Sequence, residues 1–498
     1  MIDSLYVTTA IPYVNAAPHL GYALELVQAD VLARHRRLRG GRARLHTGTD
    51  DNALKNVTAA RRAGVDVRSF VAANGDRFAA LAPLLEVEVG DFLRTGSDPR
   101  HAPTVAELWR RCAARGDFYT RAYQGLYCTG CEAFYTTAEL TEGDCPEHRR
   151  PVEAVSETNW FFRLSRYRDE VLRVIESGEV RVEPAQRRHE VLAFLRAGLA
   201  DISVSRPAAR AAGWGIPVPG DPDQVVYVWW DALANYVSSY GSRWCEPGER
   251  IHIIGKGIVR FHAVYWLALL RSAGLPLPTA ILVHDYITRG GTKLSKSSET
   301  AAGAAGAAGA AGAPAELVAA HGPDAVRWWL LAGVARVGDT EFSTGRLVEL
   351  ANLDLANGIG NLAHRFAGIF KGYPVPPAPP EGHPLLESAR RLPARIDRAL
   401  HAGDFRAATA AIRALVHDAN RLIAAEEPWR PGNRGRAGDV VATVGAACGI
   451  LAAELGPFLP GAADRLRRLL SGERLPEPLF PRKRLADVSI RRPARSSS

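Results

Sequence analysis

The stretch that decides the fold is Leu5-Tyr-Val-Thr-Thr-Ala-Ile-Pro-Tyr-Val-Asn-Ala-Ala-Pro-His-Leu-Gly-Tyr-Ala23. It opens as a short apolar run of strand type, breaks at Pro12, turns through Asn15 to Pro18 and enters a helical pattern from about Gly21. A strand, a Pro/Gly-containing turn and a helix in that order put a helix N-terminus beside an anionic ligand in an α/β sheet. Neither the GxGxxG fingerprint nor the Walker phosphate-loop pattern is present. Instead the turn carries His19-Leu20-Gly21-Tyr22, a weak signal by itself. A second stretch far downstream, Lys293-Leu-Ser-Lys-Ser297, gives it weight.

With 498 residues and a net charge of +9, the chain has room for several domains and a weak bias toward polyanionic partners. A solvated basic surface is the plain alternative. No run of 18 or more apolar residues occurs, so no membrane span is predicted, and the opening strand pattern does not resemble a secretion leader. Six cysteines in so long a chain do not make a disulfide framework, so a reducing cytoplasm is expected. Only six of the 62 Lys and Arg residues are Lys, and three of those are Lys256, Lys293 and Lys296. A lysine is a compact, mobile point charge that arginine does not replace cleanly at a phosphate.

Outward from the opening turn, Ala23 to Arg39 reads as an amphipathic helix and Ala43 to Thr47 as a second strand. That strand delivers Thr47-Gly-Thr-Asp-Asp-Asn52 at its C-terminal end, where doubly wound sheets bind ligands. Asp50 there reads as a helix cap or as the partner of an ammonium group. Further on, Cys128-Thr-Gly-Cys131 and Cys145-Pro-Glu-His148 form two pairs with two-residue spacers, a Cys3His set suited to one structural zinc ion. Cys112, Cys245 and Cys448 are isolated and read as core. Gln224 to Trp229 reads as a strand handing over to Asp231-Ala-Leu-Ala-Asn-Tyr236, and Ile251 to Ile254 as a strand ending in Gly255-Lys-Gly-Ile-Val-Arg-Phe-His262. By spacing alone Trp229, Tyr236, Phe261, His262 and Trp266 read as core. Thr279 to Val283 is a further strand, leading to the basic turn Thr288 to Ser298. Four AAG triplets over Ala301 to Gly312 read as a mobile linker or a frayed helix, and the pattern from Leu347 to about Leu470 is helical throughout.

Together these phrases resemble the class I aminoacyl-tRNA synthetases, His19-Leu-Gly21 and Lys293 to Ser297 standing for the HIGH and KMSKS signatures. Pro12 to Asn15, Thr47 to Asp50, the Cys3His knuckle, Trp214 to Pro219, Tyr227 to Ala232 and Phe261-His262 narrow the resemblance to the methionyl-tRNA synthetase family over residues 5 to about 470. The resemblance implies an α/β fold: a Rossmann-like catalytic domain, an inserted zinc-binding connective domain and an all-α anticodon-binding bundle. The expected boundaries are 1–115 and 207–300 for the catalytic halves, with 116–206 as the insertion. Residues 301–346 form a linker with stem-contact helices, 347–481 the helical domain and 482–498 a basic tail. It implies a methionine pocket from Ala10, Ile11, Tyr13, Trp229, Leu233, Tyr236, Ile258, Phe261, His262 and Trp266, with Asp50 taking the amino group. ATP is expected at His19, Gly21, Tyr22, Gly255, Lys293 and Lys296, with Mg2+, and with His19, Lys293 and Lys296 catalytic. Cys128, Cys131, Cys145 and His148 are the expected zinc ligands, and Asn361, Arg365 and Trp429 the expected readers of the tRNA(Met) anticodon. A monomer is the expected state.

The chain departs from the family pattern at Tyr22, where the HIGH signature ends in His, and at Gly48-Thr-Asp-Asp-Asn-Ala53, where a GTDEHG-like phrase is usual. Gly257 stands where an acidic residue helps hold the ATP ribose, and Ser298-Glu-Thr300 replaces a Leu-Gly-Asn phrase. All four lie on the ATP side, while the methionine pocket is complete. The expected activity is ATP-dependent methionine activation and transfer to tRNA. The alternatives are a paralogue activating methionine or an analogue for a specialised or resistance pathway, and a non-catalytic RNA-binding relative.

Overall fold

The computed structural model describes residues 4–128, 133–146, 149–293, 313–370, 378–473, 475 and 477–484. The opening stretch forms strand β1 (Ser4–Thr9), whose residues after Ser4 are buried on both faces, as befits the middle of a parallel sheet. Five further strands join it: β2 (Arg42–Thr49), β3 (Asp91–Arg94), β4 (Arg181–Glu183), β5 (Glu249–Gly255) and β6 (Ala280–His284). Every pairing among them is parallel, in the order β3-β2-β1-β5-β6-β4. The order reverses between β1 and β5, and the crevice at their C-terminal ends is where such a sheet binds ligands.

Helix α1 (Leu20–Leu38) follows β1 and buries an almost unbroken run from Leu20 to Ala33; its last turn carries His35, Arg36 and Arg37, which favour the negative end of the helix dipole. Strand β4 lies inside the stretch expected to be wholly insertion, so the parallel sheet reclaims the chain before residue 207. The rest of that stretch carries an antiparallel sheet ordered Ala133–Tyr135, Phe118–Cys128, Glu153–Phe162 and Ile202–Ser203. Aromatic and β-branched side chains on the Phe118 and Glu153 strands suit that pleated surface.

Two local expectations are corrected. Trp229 belongs to a helix, α2 (Val228–Tyr240), because the preceding strand ends at Val226. Cys245 is exposed, in a short turn after α2, whereas Cys112 and Cys448 are buried in the two main cores.

After β6 the chain makes a tight hairpin, Ile287–Arg289 against Thr292–Lys293. Its two central residues, Gly290 and Gly291, have φ of 59° and 73°, the double left-handed turn that fits strand twist and favours glycine. The side chain of Glu341 accepts from the backbone N–H of both glycines and from Thr288 Oγ1, fixing the hairpin. Lys293 closes it, while Lys296 and the AAG triplets lie outside the described residues. The C-terminal part is helical: Asn361–Phe370, Pro384–His401, Phe405–Glu426, Arg434–Leu455 and Pro460–Leu470. Arg436–Leu455 is the one described helix long and apolar enough to cross a membrane, and it is mostly buried in this bundle. Arg327 pins the bundle to the sheet layer: its guanidinium donates to Asp30 on α1, to Leu85 O and to Phe458 O.

Candidate active site

His19 sits at the N-cap of α1, and its Nδ1 accepts from Gly21 N–H at 3.0 Å. That bond commits the Nδ1 lone pair and puts the proton of the neutral ring on Nε2. The ring rests on the glycine: a Cβ at Gly21 would come within 2.9 Å of His19 Cε1. Tyr22 lies elsewhere, buried in the sheet–helix core, with its hydroxyl 3.0 Å from Thr47 Oγ1 and its ring edge-on to Phe78. Burial pushes its phenol pKa up.

The crevice between β1 and β5 has an aromatic wall. Trp229 from α2 stacks face-to-face on Phe261, with centroids 3.7 Å apart. Tyr236, about one turn beyond Leu233 on the same helix, meets His262 at 2.8 Å. The His262 ring also contacts Ile258 O at 3.0 Å, and a carbonyl only accepts, so Nδ1 carries the proton and Tyr236 donates to Nε2. Burial holds His262 neutral, lowering its pKa to about 4. Behind them, Trp266 donates to Nε2 of buried His252 at 3.1 Å, which leaves the other ring nitrogen to donate to Thr8 Oγ1 at 2.6 Å. Leu233 is buried in this cluster and Ala10 and Ile258 pack against it.

Asp50 follows the second strand and is 2% exposed. Its N–H donates to Pro12 O at 2.9 Å, and its backbone is bridged to Tyr13. The Lys55 ammonium stands 5.0 Å from the Tyr13 ring centroid. Ile11, like Tyr13, is half-buried at the mouth of the crevice. Thus Ala10, Ile11, Tyr13, Asp50, the aromatic wall and His19 all lie on segments that end at the C-terminal edge of the parallel sheet.

Sequence reasoning misses a buried ion pair at the same edge. Glu25 of α1 accepts from Ala10 N–H at 2.9 Å and from His284 Nε2 at 3.1 Å. His284 also donates Nδ1–H to Asp285 O, so both ring nitrogens act as donors; burial lowers its pKa, but the bond to Glu25 outweighs that and the net shift is upward. The only signal for Glu25 is a charge on the buried stripe of α1. Beside Gly255, which ends β5, a Cβ on Gly257 would come within 2.2 Å of Tyr286 Oη, so the phenol occupies the space of any side chain there. Lys256 pairs with Asp339 at 2.6 Å and lies 4.5 Å from the Tyr286 ring centroid.

Two other expected sites stand apart. Cys128 and Cys145 are buried yet belong to none of the hydrophobic clusters, unlike Cys112 and Cys448; Cys131 and His148 lie outside the described residues. In the helical part, Asn361 Nδ2 donates to Asn420 Oδ1 at 3.0 Å and Arg365 to Asn420 O at 3.2 Å. The Arg365 guanidinium lies 5.6 Å from the ring centroid of Trp429, which is 56% exposed.

The family model described as tRNA synthetases class I (M) matches residues 5–367, and the chain belongs to that class. Within it, the chain falls in the methionine–tRNA ligase family. It is 37% identical to the methionine–tRNA ligase of Brucella suis, covering 94% of this chain and 92% of that one. The Rhizobium meliloti methionine–tRNA ligase is also 37% identical, covering 96% and 98%. Among solved structures, Mycobacterium tuberculosis methionyl-tRNA synthetase in complex with methionyl-adenylate superposes with a TM-score of 0.87 at 34% identity, over 97% of this chain and all of that one. The apo form of the same protein gives 0.80.

Proposed function

We propose that this chain activates methionine with ATP and transfers the methionyl group to the 3′ adenosine of tRNA(Met). The observation carrying this reading is the meeting of His19, Asp50 and the Trp229–Tyr236–His262 wall at one sheet edge, in a chain that matches methionine–tRNA ligases along nearly its full length. In the first step a methionine carboxylate oxygen attacks the α-phosphorus of ATP, the bond to the bridging oxygen breaks and pyrophosphate leaves. In the second, a hydroxyl of the terminal adenosine attacks the adenylate carbonyl and AMP leaves.

Asp50 would hold the α-ammonium group and the aromatic wall the side chain. With Tyr236 committed to His262 and His262 to Ile258 O, the wall offers ring surface and no charge, which suits a polarisable thioether and penalises a polar side chain. His19, at the positive end of α1, would meet the phosphates through the Nε2 side of its ring. Lys293 and Lys296 would neutralise the departing pyrophosphate from the sequence that follows the Gly290-Gly291 turn. Mg2+ bound with ATP supplies further charge neutralisation. Gly21 and Gly255 would let the nucleotide approach the backbone, whereas Tyr22 would serve the core beneath it.

Asn361, Arg365 and Trp429 would read the anticodon, the exposed indole as a stacking platform. Cys128 and Cys145, buried thiols outside the apolar cores, fit two positions of a closed zinc set with Cys131 and His148. Elemental analysis giving well below one zinc per chain would contradict that set. The domain boundaries, a monomeric state and a cytoplasmic location belong to the same reading. Methionine-dependent ATP–pyrophosphate exchange tests the first step: exchange is expected with the parent, and a loss of at least about 100-fold in His19→Ala. Exchange unaltered by that substitution would sink the assignment.

A further inference from the structure

The loop bearing Asp50 and the helix bearing the pocket wall come from distant parts of the chain, and a buried polar chain ties them together. Asp231, in the first turn of α2, is 1% exposed. Its Oδ2 accepts from Asn52 Nδ2 at 2.7 Å and its Oδ1 faces His101 Nε2 at 2.5 Å. His101, fully buried at the start of the helix His101–Ala114, holds Ser238 Oγ at 2.9 Å with its other nitrogen. Ser238 lies on α2 and donates to Ala234 O, so the His101 bridge begins and ends on one helix. That helix also presents Trp229, Leu233 and Tyr236.

The Asp50 loop is restrained from other sides as well. Asp51 N–H donates to Thr95 Oγ1, Trp214 Nε1 donates to Asp51 O, and Asn56 Nδ2 donates to the carbonyls of Asp50 and Asp51, each at 2.9 Å. Those bonds hold the loop to the end of β3, to Trp214 and to its own helix. The Asn52–Asp231 bond is different because it sets the loop's distance from the pocket wall. A buried carboxylate with a donor on each oxygen is a stiff link, since losing either donor leaves a desolvated charge.

We infer that Asp231 is a positioning residue for recognition of the α-ammonium group: through Asn52 it holds Asp50 at a fixed distance from the wall that grips the side chain, with His101 bracing it from behind. The inference rests on the reading of Asp50 as the ammonium partner. A ligand must then satisfy both ends at once, and one with the right side chain but no amine loses the benefit of the link.

The test uses the full-length protein and two probes, methionine and 4-(methylthio)butanoic acid, which has the same side chain and carboxylate but no amine. Inhibition or fluorescence titration gives an affinity for each. Asp231→Asn is expected to weaken methionine about 10- to 100-fold while leaving the deamino probe within about twofold and the KM for ATP unchanged. Asn52→Ala, which removes the same bond, and a longer one to Thr95 O at 3.4 Å, without altering a buried charge, is expected to shift methionine in the same direction and spare the probe. Equal weakening of both probes, or of neither, in a folded Asn52→Ala protein would overturn the inference. Asp50→Asn separates the two readings. If it too leaves the methionine-to-probe ratio unchanged, the ammonium assignment fails; if it collapses the ratio while Asp231→Asn and Asn52→Ala do not, only the positioning role fails.

Discussion

Replacing Gly21 by Ala separates stability from catalysis. The added Cβ would lie 2.9 Å from His19 Cε1 and 3.0 Å from Nδ1. Carbon contacts relax at about 3.5–4.0 Å, so the imidazole must shift by roughly 0.6 Å or more. The shift breaks the Nδ1 bond to Gly21 N–H, a cap contribution of about 1 kcal/mol. Exchanging Gly for Ala in a helix returns at most about 1 kcal/mol. The two offset, and the melting temperature is expected to stay within about 2 °C. Catalysis has no such compensation. A misplacement of about 1 Å costs on the order of 100-fold, so ATP–pyrophosphate exchange should fall roughly 10- to 100-fold, or about 1.4–2.7 kcal/mol of barrier. Methionine affinity should hold, because the proposed role of His19 is toward the nucleotide. Exchange within twofold of the parent at an unchanged melting temperature would refute this reasoning.

Three further outcomes are expected. Burial holds His46 and His262 at pKa values of about 4 and His252 well below its ordinary range. The unfolded chain binds those protons near pH ~6.5, so this stability is present above about pH 6.5 and is lost as pH falls, by up to about 3 kcal/mol each for His46 and His262 as pH approaches about 4. Asp51, raised to about 6 by burial, and His284, raised by its bond to Glu25, act in the opposite sense as pH rises, two groups against three. A urea midpoint that does not fall between about pH 7 and pH 5 would contradict the net sign. Arg327→Ala leaves buried Asp30 with Arg34 and the Glu88 N–H and strips donors from Phe458 O and Leu85 O; it should destabilise the protein by about 3–5 kcal/mol in urea titration, and a change under about 1 kcal/mol would be inconsistent with the pin. Trp429→Ala should lower tRNA charging about 10- to 100-fold with amino-acid activation intact, and equal loss in both assays would argue against a stacking role.

What the sequence makes legible is what lies in short phrases. The β1–turn–α1 unit and the strand leading to Asp50 are readable, because each phrase is local and its residues share one element or junction, whereas Trp229, Tyr236, Phe261, His262 and Trp266 read as core by spacing and only the family resemblance groups them as a pocket. The residues that escape are joined across the chain. Glu25 meets His284 across 259 positions, Thr8 meets His252 across 244 and His101 meets Asp231 across 130. Read alone, Glu25 is a helix charge and His101 a helix start; only the sheet order makes them neighbours. Strand β4 is three residues long with one buried side chain, too short for alternation to announce it. Trp229 reads as strand because Val225 to Trp229 is an unbroken apolar and aromatic run, and periodicity does not separate a buried strand from a buried helix start. The departure at Gly257 is visible in sequence, but that Tyr286 fills its space is not.

The most direct measurement is aminoacylation of purified initiator and elongator methionine tRNA by the full-length chain, with labelled methionine and saturating ATP. Both tRNAs are predicted to accept methionine, and a tRNA of another specificity is not. Robust ATP–pyrophosphate exchange with no charging of either tRNA would contradict the central claim, leaving an amino-acid-activating enzyme that serves some other acceptor.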